Sequence, residues 1–366
     1  MHLPGPPSGR RPVLITGVAG LIGGRLARLL VAQGRPVVGC DNFLTSSVER
    51  VPRGIDFVEA DCRDPEAMRE LCRGIHGVVH CAAAAYEGLS VFSPHFVTDH
   101  VFGASSAVFS GAVASGVRRV VYLSSMARYG RGNVPFYETD PRAPVDPYGV
   151  AKVASEMLLE NLAALHGIEY VIAVPQCVVG AGQRHDDAYR NVAAIMLNRA
   201  LRGKPLVIYG DGRQRRGFTH VADVVEQLAV LLDLEEAQGC VVNVGSDLGF
   251  ISINELATRV FRVLGMDGGE CSPDAQAEEL DHSPVRYEPA RLGEVFDATC
   301  AHELVGRWWP ASGRTLEDAL GELAEDIRRR GPRGPRAELP LEIGEARVPA
   351  HWRRLDPVGP VAGSES

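Results

Sequence analysis

The stretch Val13-Leu-Ile-Thr-Gly-Val-Ala-Gly-Leu-Ile-Gly23, close to the start of the chain, decides the fold. Its first four residues form an apolar run that predicts a buried strand, and the apolar spacing from Leu21 to Gln33 predicts a helix. The glycines between them permit a tight turn and let backbone N–H groups approach a pyrophosphate at the helix N-terminus. The stretch therefore predicts a dinucleotide-binding βα unit.

Beyond this unit, the chain alternates short apolar runs with helix-length stretches as far as residue 130. This alternation is typical of βα units that build a parallel sheet, and the runs lack the in–out alternation of a half-exposed strand. The runs are Val13–Thr16, Pro36–Cys40, Ile55–Ala60, Gly77–Ala82 and Arg119–Ser124. We predict an α/β fold with a Rossmann-type doubly wound parallel sheet and a smaller α/β substrate-binding region.

The pattern changes after residue 187, where helix-like and apolar segments follow each other less regularly. We therefore expect residues 12–187 to form mainly the dinucleotide-binding domain and residues 188–330 mainly the substrate-binding region. Residues 1–11 are expected to be a flexible N-terminus. Residues 331–366 are rich in Pro, Gly, Arg and Glu without a clear period, so this C-terminal extension is predicted to be disordered or to lie on the surface.

The composition argues against several classes of partner. The 366 residues include 38 Lys and Arg against 46 Asp and Glu, a formal charge of −8, which disfavours nucleic acid as a partner. No apolar run approaches the roughly 18 residues of a membrane span, and the N-terminus lacks the apolar core of a signal peptide. The eight cysteines form neither CxxC pairs nor a zinc pattern. We expect reduced thiols, no metal and a cytoplasmic protein.

Asp41 is the candidate residue for the adenosine ribose of the dinucleotide. It follows the second predicted strand and lies 18 residues beyond Gly23, close to the roughly 20 expected for the carboxylate that binds the ribose hydroxyls. Asn42, and no arginine, comes next in the chain, so a 2′-phosphate would meet negative charge without a basic partner. The sequence therefore favours NAD over NADP as the cofactor.

Ser125, Tyr148 and Lys152 are the candidate catalytic residues. Tyr148 and Lys152 are four residues apart near the start of a predicted helix, so they share one face. A tyrosine needs its pKa lowered by about three units, roughly 4 kcal/mol, to act as a base near pH 7. One positive charge about 5 Å away supplies roughly 3 kcal/mol at an effective dielectric near 20. Lys152 and the nicotinium charge of NAD+ would together suffice, and Ser125 can hydrogen-bond the same substrate oxygen.

The scarcity of lysine strengthens this interpretation of Lys152. A tyrosine and a lysine at this spacing are common on protein surfaces, so the spacing alone is weak. Of the 38 basic residues only Lys152 and Lys204 are lysines, and the other 36 are arginines. A guanidinium fork is a different hydrogen-bonding partner from a compact ammonium, so arginine would replace Lys152 poorly. Lys204 has no such role and is expected to be a surface charge.

Taken together, these segments resemble the extended short-chain dehydrogenase/reductase superfamily, and within it the nucleotide-sugar epimerases, of which UDP-glucose 4-epimerase is the type. The resemblance covers roughly residues 12–325. Besides the glycine turn, it rests on Asp41-Asn42, Asp61-Cys62, Val78–Ala83, Leu123–Ser125, Pro147–Lys152, Tyr209–Gly212, Arg216–Asp223, Asn243–Gly245 and Arg291–Glu294. So many segments in the same order make the superfamily resemblance specific.

The resemblance implies a role for the residue at each matching position. The pyrophosphate of NAD would lie against Gly17, Gly20, Leu21, Ile22 and Gly23. The adenosine would contact Asp41, Asn42, Asp61 and Cys62, and the nicotinamide side Cys81, Ala82, Ala83, Tyr148 and Lys152. The nucleotide sugar would contact Ser125, Tyr148, Cys177, Asn191, Tyr209, Arg216 and Arg291. The last two arginines would clamp the diphosphate, because a guanidinium fork suits phosphate oxygens.

Four positions depart from the pattern of the family. Cys177 replaces an asparagine at a substrate contact, His100 stands where asparagine is usual, and Ala85 stands where the type enzymes have a cofactor-contacting lysine. Ala298 falls near the position where a large side chain excludes N-acetyl groups in members of narrow specificity. A small residue there is expected to leave room for an N-acetylhexosamine.

The residues after the catalytic serine indicate the reaction. Related dehydratases have an acidic pair there, because the elimination of water needs a general acid and a general base, and decarboxylating relatives have a glutamate. Met126 and Ala127 can transfer no proton. The sequence favours a 4-epimerase for a UDP-hexose or UDP-N-acetylhexosamine, which oxidises C4 transiently and returns the hydride.

Two alternatives remain open. One is a nucleotide-sugar 4-ketoreductase, or an epimerase at another carbon, that acts on a modified biosynthetic sugar. The other is a non-catalytic NAD-binding sensor or scaffold. The resemblance also implies a homodimer that forms through two helices of each subunit, predicted near Phe92–Ser115 and Tyr148–Leu165.

Overall fold

The computed structural model describes residues 12–266, 271, 284–310, 312–335, 339–343, 348–349 and 352. The strands in this part of the chain are β1 (Val13–Thr16), β2 (Val37–Asp41), β3 (Asp56–Glu59), β4 (Gly77–His80), β5 (Arg119–Leu123), β6 (Glu169–Pro175), β7 (Cys177–Val179), β8 (Leu206–Tyr209), β9 (Arg215–His220), β10 (Val241–Val244), β11 (Phe250–Ser252), β12 (Val285–Glu288) and β13 (Asp297–Ala298).

The α-helices in the same part are α1 (Leu21–Ala32), α2 (Pro65–Leu71), α3 (Glu87–Ser90), α4 (Pro94–Thr98), α5 (Ala104–Ala114), α6 (Pro147–His166), α7 (Val192–Leu201), α8 (Val221–Leu231), α9 (Ile253–Leu264), α10 (Glu303–Trp308) and α11 (Leu316–Arg330). A π-helical turn, Asp99–Gly103, joins α4 to α5. None of the helices described has the length and apolar character that crossing a membrane requires.

Seven parallel strands form the central sheet, in the order β10-β6-β5-β4-β1-β2-β3. The chain builds outward from β1 on one side and then returns to its other side with β4, so β1 and β4 lie next to each other at the topological switch point. This arrangement confirms the predicted Rossmann-type doubly wound sheet. Open sheets of this kind bind ligands at the carboxyl ends of the strands beside the switch point.

Helices cover both faces of the central sheet, as the continuous apolar runs predict. On one face, α1 and α8 bury Leu26, Leu30 and Leu228 against the strands. On the other face, α2, α5 and α6 bury residues such as Met68 and Phe109. The short apolar runs could thus be recognised as strands because neither face of the sheet is left to solvent.

The second half of the chain contributes both to the central sheet and to a separate layer. Strand β10 forms the edge of the central sheet beside β6, and α8 packs on one face of it, although both follow residue 187. The remaining elements, including α7, α9 and α11, enclose their own apolar cluster with β8, β9 and β12. The two regions are therefore interleaved along the sequence.

Most of the described residues of the C-terminal extension are exposed, as expected of a surface segment, but two of them are buried. Val348 and Trp352 are 2% and 4% exposed and belong to the apolar cluster that also contains Phe92 and Tyr189. The backbone N–H groups of Glu342 and the following residue donate to the carbonyl oxygen of Phe92. The extension is therefore packed against the body of the protein at these points. The predicted flexible N-terminus, residues 1–11, lies outside the described residues.

Candidate functional site

A cavity of about 520 Å³ opens at the carboxyl ends of the central strands and extends towards the second region. Its size falls within the range of small-molecule and cofactor sites. Every predicted site residue lines it: Gly17, Gly20, Leu21, Ile22, Gly23, Asp41, Asn42, Asp61, Cys62, Cys81, Ala82, Ala83, Ser125, Tyr148, Lys152, Cys177, Asn191, Tyr209, Arg216 and Arg291. The structure thus brings together residues that are up to 274 positions apart.

The glycine turn between β1 and α1 forms one end of the cavity and fits a pyrophosphate. A Cβ atom on Gly23 would lie 2.4 Å from the carbonyl oxygen of Gly17, and Gly17 itself has a left-handed φ of +68°. The residue before α1 is Gly20, which has no side chain to cap the helix. The first N–H groups of α1 therefore receive no hydrogen bond from a capping side chain and remain available to a ligand in the cavity. Such a helix N-terminus attracts phosphate through its N–H groups and its dipole.

Asp41, at the end of β2, lies at the adenosine end of the cavity. Its carboxylate accepts hydrogen bonds from the backbone N–H groups of Ala19, at 3.0 Å, and Phe43, at 2.8 Å. These bonds fix the carboxylate beside the glycine turn, where a ribose would lie. Geometry and charge at this end both suit the hydroxyls of an unphosphorylated ribose.

Asp61 lies next to Asn42 at the same end and is held by ionic contacts. Burial acts to raise the pKa of Asp61, but hydrogen bonds from Arg63 and Asn42 outweigh it and lower the pKa to about 2. Arg63 also pairs with Asp99 at 2.6 Å. Because two carboxylates already hold Arg63, its guanidinium is a poor receptor for a 2′-phosphate.

Ser125, Tyr148 and Lys152 meet on the other side of the glycine turn. Ser125 follows β5, and the other two lie in the first two turns of α6, which begins with Pro147 behind an aspartate cap. The ammonium of Lys152 is 3% exposed and donates to the carbonyl oxygen of Leu123 at 2.7 Å. It lies 5.8 Å from the ring centroid of Tyr148. The spacing of four residues thus places both side chains at the end of β5.

Burial dominates the electrostatics of these residues. It raises the pKa of Tyr148, and a hydrogen bond with Ser125 offsets only part of that effect. It also lowers the pKa of Lys152 to about 8. The prediction that Lys152 and the nicotinium charge of NAD+ together ionise Tyr148 stays a prediction, because in the protein alone the desolvation of the phenolate dominates.

A buried ion pair fixes α6 behind these residues. Glu156, one turn after Lys152, is fully buried and receives Arg128 at 3.0 Å and Arg142 at 3.0 Å. Arg128 comes from the short helical turn after Ser125, so the pair joins the two segments that position the candidate catalytic residues. Removal of either partner would leave a buried charge without compensation.

Two arginines face each other at the far end of the cavity. Arg216 comes from β9 and Arg291 follows β12, and Glu294 accepts from their guanidinium groups at 3.2 and 3.0 Å. The guanidinium of Arg291 also lies 5.0 Å from the ring centroid of Tyr209. Glu294 thus holds the two guanidinium groups close together, and such a pair suits the binding of a diphosphate. The sequence contained no signal for this bridging role.

Asn191 and Cys177, two predicted substrate contacts, both line the cavity, and Asn191 also has a structural role. The amide of Asn191 caps α7 by accepting from the N–H of Ala193 at 3.2 Å, and it donates to the carbonyl oxygen of Val178 at 2.9 Å. Burial raises the pKa of Cys177 to about 11, so its thiol is neutral at physiological pH. Of the departing positions, His100 and Ala85 line the cavity.

The expectation attached to Ala298 is not supported. Ala298 lies in β13 and packs in a buried cluster with Tyr129 and Phe136, and it does not line the cavity. Ala298 therefore provides no room for an N-acetyl group in the cavity. Distance along the chain could not show this, because the orientation of β13 depends on its pairing with β9.

Glu87 and Trp352 line the cavity but were missed from the sequence. Glu87 is the first residue of α3, and its carboxylate has no hydrogen bond or ion pair within the described part of the chain. Its charge acts on the pKa values of Tyr148 and Asp146, which shows that it lies close to both. Neither residue belongs to a periodic pattern or to a recognisable motif, so no sequence signal could have identified it.

Comparisons with known proteins agree with this geometry. Residues 13–245 match the model of the NAD dependent epimerase/dehydratase family. A UDP-glucose 4-epimerase from Streptomyces lividans is 34% identical over 79% of this chain and 96% of its own length. A UDP-N-acetyl-alpha-D-glucosaminuronate decarboxylase from Bacillus cytotoxicus is 30% identical over 65% of this chain and 76% of its own. The crystal structure of a Thermotoga maritima UDP-glucose 4-epimerase with UDP-glucose superposes with a TM-score of 0.78 at 27% identity, covering 87% of this chain and 99% of that one.

Proposed function

The chain belongs to the NAD dependent epimerase/dehydratase family and uses NAD, and on this premise we propose that it is a nucleotide-sugar 4-epimerase for a UDP-hexose or UDP-N-acetylhexosamine. The observation that carries the proposal is the position of Ser125, Tyr148 and Lys152 in the same cavity as the pair of arginines. A sugar whose diphosphate lies on the arginines can present its C4 hydroxyl to the tyrosine.

In this mechanism the side chains of the protein bind the sugar nucleotide and move one proton. NAD+, when bound, accepts and returns a hydride and adds a positive charge beside Tyr148. The phenolate of Tyr148 then takes the proton of the C4 hydroxyl, while Ser125 hydrogen-bonds the same oxygen. The Lys152 ammonium, which donates to the Leu123 carbonyl oxygen, places a positive charge near the Tyr148 ring and favours its phenolate form.

Epimerisation requires the 4-keto sugar to turn over while its diphosphate stays bound. Arg216 and Arg291 supply that anchor, because bidentate contacts hold a diphosphate while the hexose remains free to rotate. Tyr148 would then return its proton to the C4 oxygen, with the other face of the ketone turned to the bound cofactor. The reaction is redox-neutral, so no NADH accumulates.

The residues after Ser125 disfavour dehydration. Met126 lines the cavity, and neither it nor Ala127 can exchange a proton. Glu87, however, gives specific support to the second candidate function, an epimerase at another carbon. A 4-keto group acidifies the C–H bonds at C3 and C5, and a carboxylate in the cavity could act there as a base.

Glu87 also bears on the class of sugar. Its carboxylate makes no ion pair in the described part of the chain, although its charge acts to raise the pKa of Arg291, and it would repel the carboxylate of a hexuronate. This favours a neutral hexose over the glucosaminuronate named for the decarboxylase relative. We also propose that the protein is a cytoplasmic homodimer.

The first test is turnover by the purified protein of a panel of UDP-, dTDP- and GDP-sugars in deuterated water, with products identified by NMR. We expect a C4 epimer without deuterium in the sugar and without net NADH. Deuterium at C3 or C5 that disappears in Glu87→Gln would establish the second candidate instead. Stoichiometric release of NADH would contradict both and indicate a dehydrogenase.

The second test is the Tyr148→Phe variant. Removal of the phenol oxygen should lower kcat by about 10²-fold to 10⁴-fold, because proton transfer loses its acid and base, while bound NAD is retained. Tyr137→Phe is the matched control, since that side chain is 45% exposed and lies outside the cavity. A variant at Tyr148 that keeps full activity would support a different catalytic group, and a wild-type protein without turnover would support a sensor or scaffold.

A further inference from the structure

The C-terminal extension crosses from α11 to the mouth of the cavity through a series of specific contacts. Near its start, Asn198 of α7 donates to the carbonyl oxygen of Arg333 at 2.8 Å and accepts from the N–H of the same residue at 3.1 Å. Farther on, the Glu342 carboxylate accepts from the backbone N–H groups of His95, at 2.9 Å, and Phe96, at 2.7 Å. These N–H groups belong to the first turn of α4, so the extension caps that helix.

The end of the described extension is buried in the wall of the cavity. Trp352 packs edge-to-face against Tyr189, with ring centroids 4.9 Å apart, and against Phe92 at 6.1 Å. It lines the cavity. Trp352 is 4% exposed, so it forms part of the cavity wall and offers little free surface. The aromatic neighbours restrict the rotamers that its side chain can adopt.

Trp352 lies close to the residues that would bind the sugar. It shares an apolar cluster with Tyr148, which would react at C4. A Cβ atom at Gly88 would lie 3.6 Å from the indole of Trp352 and 3.1 Å from the guanidinium of Arg291, so the indole also lies near Arg291. One side chain of the extension thus lies near both the candidate acid–base residue and the candidate diphosphate clamp, and a bound hexose would lie between those two.

We propose that Trp352, held in place by the C-terminal extension, is a specificity-determining residue that forms one wall of the sugar-binding end of the cavity. The inference rests on the proposed function, because it assigns the sugar of a nucleotide sugar to this end. An apolar part of the indole in the cavity wall adds contact area to a hexose without a charged contact. Gly88 packs beside the indole, and a Cβ atom there would be in van der Waals contact with it.

The test compares Trp352→Ala and Trp352→Phe with Ile343→Ala in the full-length protein. The Ile343 side chain belongs to the same extension but is 52% exposed and does not line the cavity, so it controls for general changes in the extension. Dissociation constants are measured by calorimetry for UDP-glucose and for UDP. The same measurement is made for a dTDP-sugar with dTDP and for a GDP-sugar with GDP. The comparison of each sugar nucleotide with its diphosphate isolates the contribution of the sugar.

We expect Trp352→Ala to weaken sugar-nucleotide binding by about tenfold or more and diphosphate binding by less than about twofold, with NAD content unchanged. Trp352→Phe and Ile343→Ala should stay within about threefold of the wild type. If the alanine variant does not fold, Trp352→Leu keeps an apolar side chain in the cluster and is measured instead. The inference is overturned by an unchanged affinity for the sugar nucleotide, or by an equal loss for the free diphosphate.

The outcomes also separate this inference from the proposed function. A sugar-dependent loss in the Trp352 variant supports the inference even if the wild type turns over none of the sugars, a result that contradicts only the proposed function. If the wild type binds none of the three nucleotide sugars more tightly than the corresponding free diphosphate, both the inference and the proposed function are contradicted.

Discussion

Lys152 occupies a space that suits an ammonium group and excludes a larger cation. Its Nζ atom lies 2.7 Å from the Leu123 carbonyl oxygen and 4.9 Å from the ring centroid of Tyr122, and the side chain is 3% exposed. A guanidinium in the same place would have to displace one of these groups, because protein interiors contain few voids. This explains why a chain with 36 arginines has a lysine here.

A prediction follows at the scale of this residue. Lys152→Arg should lower kcat by at least about 10²-fold, since the positive charge is kept but its position beside the tyrosine is lost. The chain offers a matched control in its other lysine, because Lys204→Arg makes the same change at an exposed site and should leave kcat unchanged. Both are measured under saturating substrate. Full activity of the Lys152 variant would show that charge alone is required.

At the scale of an element, the turn between β1 and α1 depends on the absence of a side chain. Gly23→Ala places a Cβ atom 2.4 Å from the carbonyl oxygen of Gly17, which is backbone and cannot move aside cheaply. We expect loss of bound NAD and a free energy of unfolding lowered by roughly 2 kcal/mol or more.

The matched control for this turn is Gly321→Ala in α11, where an added Cβ atom meets nothing within 4 Å. It should raise the free energy of unfolding by about 0.5–1 kcal/mol, as expected for glycine to alanine inside a helix, and leave NAD content unchanged. NAD is quantified after denaturation, and stability by urea titration. Retention of NAD by the Gly23 variant would show that the cofactor does not depend on this turn.

The cap of α6 is the second element with a testable property. Asp146 is 5% exposed and accepts from the Gly149 N–H at 2.8 Å. Burial, with the nearby charge of Glu87, raises its pKa from 3.8 to about 7. The protonated form is thus favoured in the folded state. The stabilisation from this group is complete below pH 3.8 and is lost as the pH rises through about 7.

Asp146→Asn should therefore become more stable relative to the wild type as the pH rises, because asparagine also caps helices but is always neutral. The difference in the free energy of unfolding should increase between pH 5 and pH 8 by about 2.5 kcal/mol at most, because part of the full effect of about 4 kcal/mol has already developed by pH 5. Urea unfolding at the two pH values measures it. Asp64→Asn, the same change at the exposed cap of α2, should leave the pH dependence close to that of the wild type. An equal difference at both pH values for Asp146→Asn would contradict the prediction.

At the scale of the whole molecule, the predicted dimer helices expose apolar side chains. Val150 and Met157, seven residues apart on α6, are 52% and 55% exposed, and Phe102 on the adjacent helical segment is 39% exposed. Two such helices from each subunit would bury these residues in a homodimer.

We expect the wild type to sediment as a dimer, with twice the mass of the chain. The double variant Val150→Asp, Met157→Asp should sediment as a monomer, because dimerisation would bury the new charges at the interface. Val48→Asp adds a charge at another exposed valine and serves as the control. Sedimentation velocity at several concentrations distinguishes the two states. A wild type that stays monomeric would contradict the proposal.

Much of the fold and of the candidate site could be predicted from local patterns. The five apolar runs predicted as strands coincide with β1 to β5 to within two residues at each end, since a buried strand leaves a continuous apolar signal in neighbouring residues. The prediction missed the second layer of short strands such as β9 and β11. Strands of three to six residues that pair across long sequence distances have little local signal.

We could infer the doubly wound sheet, the glycine turn, the cofactor and the candidate residues Ser125, Tyr148 and Lys152 from the chain alone, because each depends on residues close together in it. Tertiary packing was needed to show that Glu294 joins two arginines, that Glu87 and Trp352 line the cavity and that Ala298 does not. These contacts form between residues far apart in sequence, and they depend on how β9, α3 and the C-terminal extension pack. Such packing is set by the burial of whole surfaces and leaves no periodic trace in the chain.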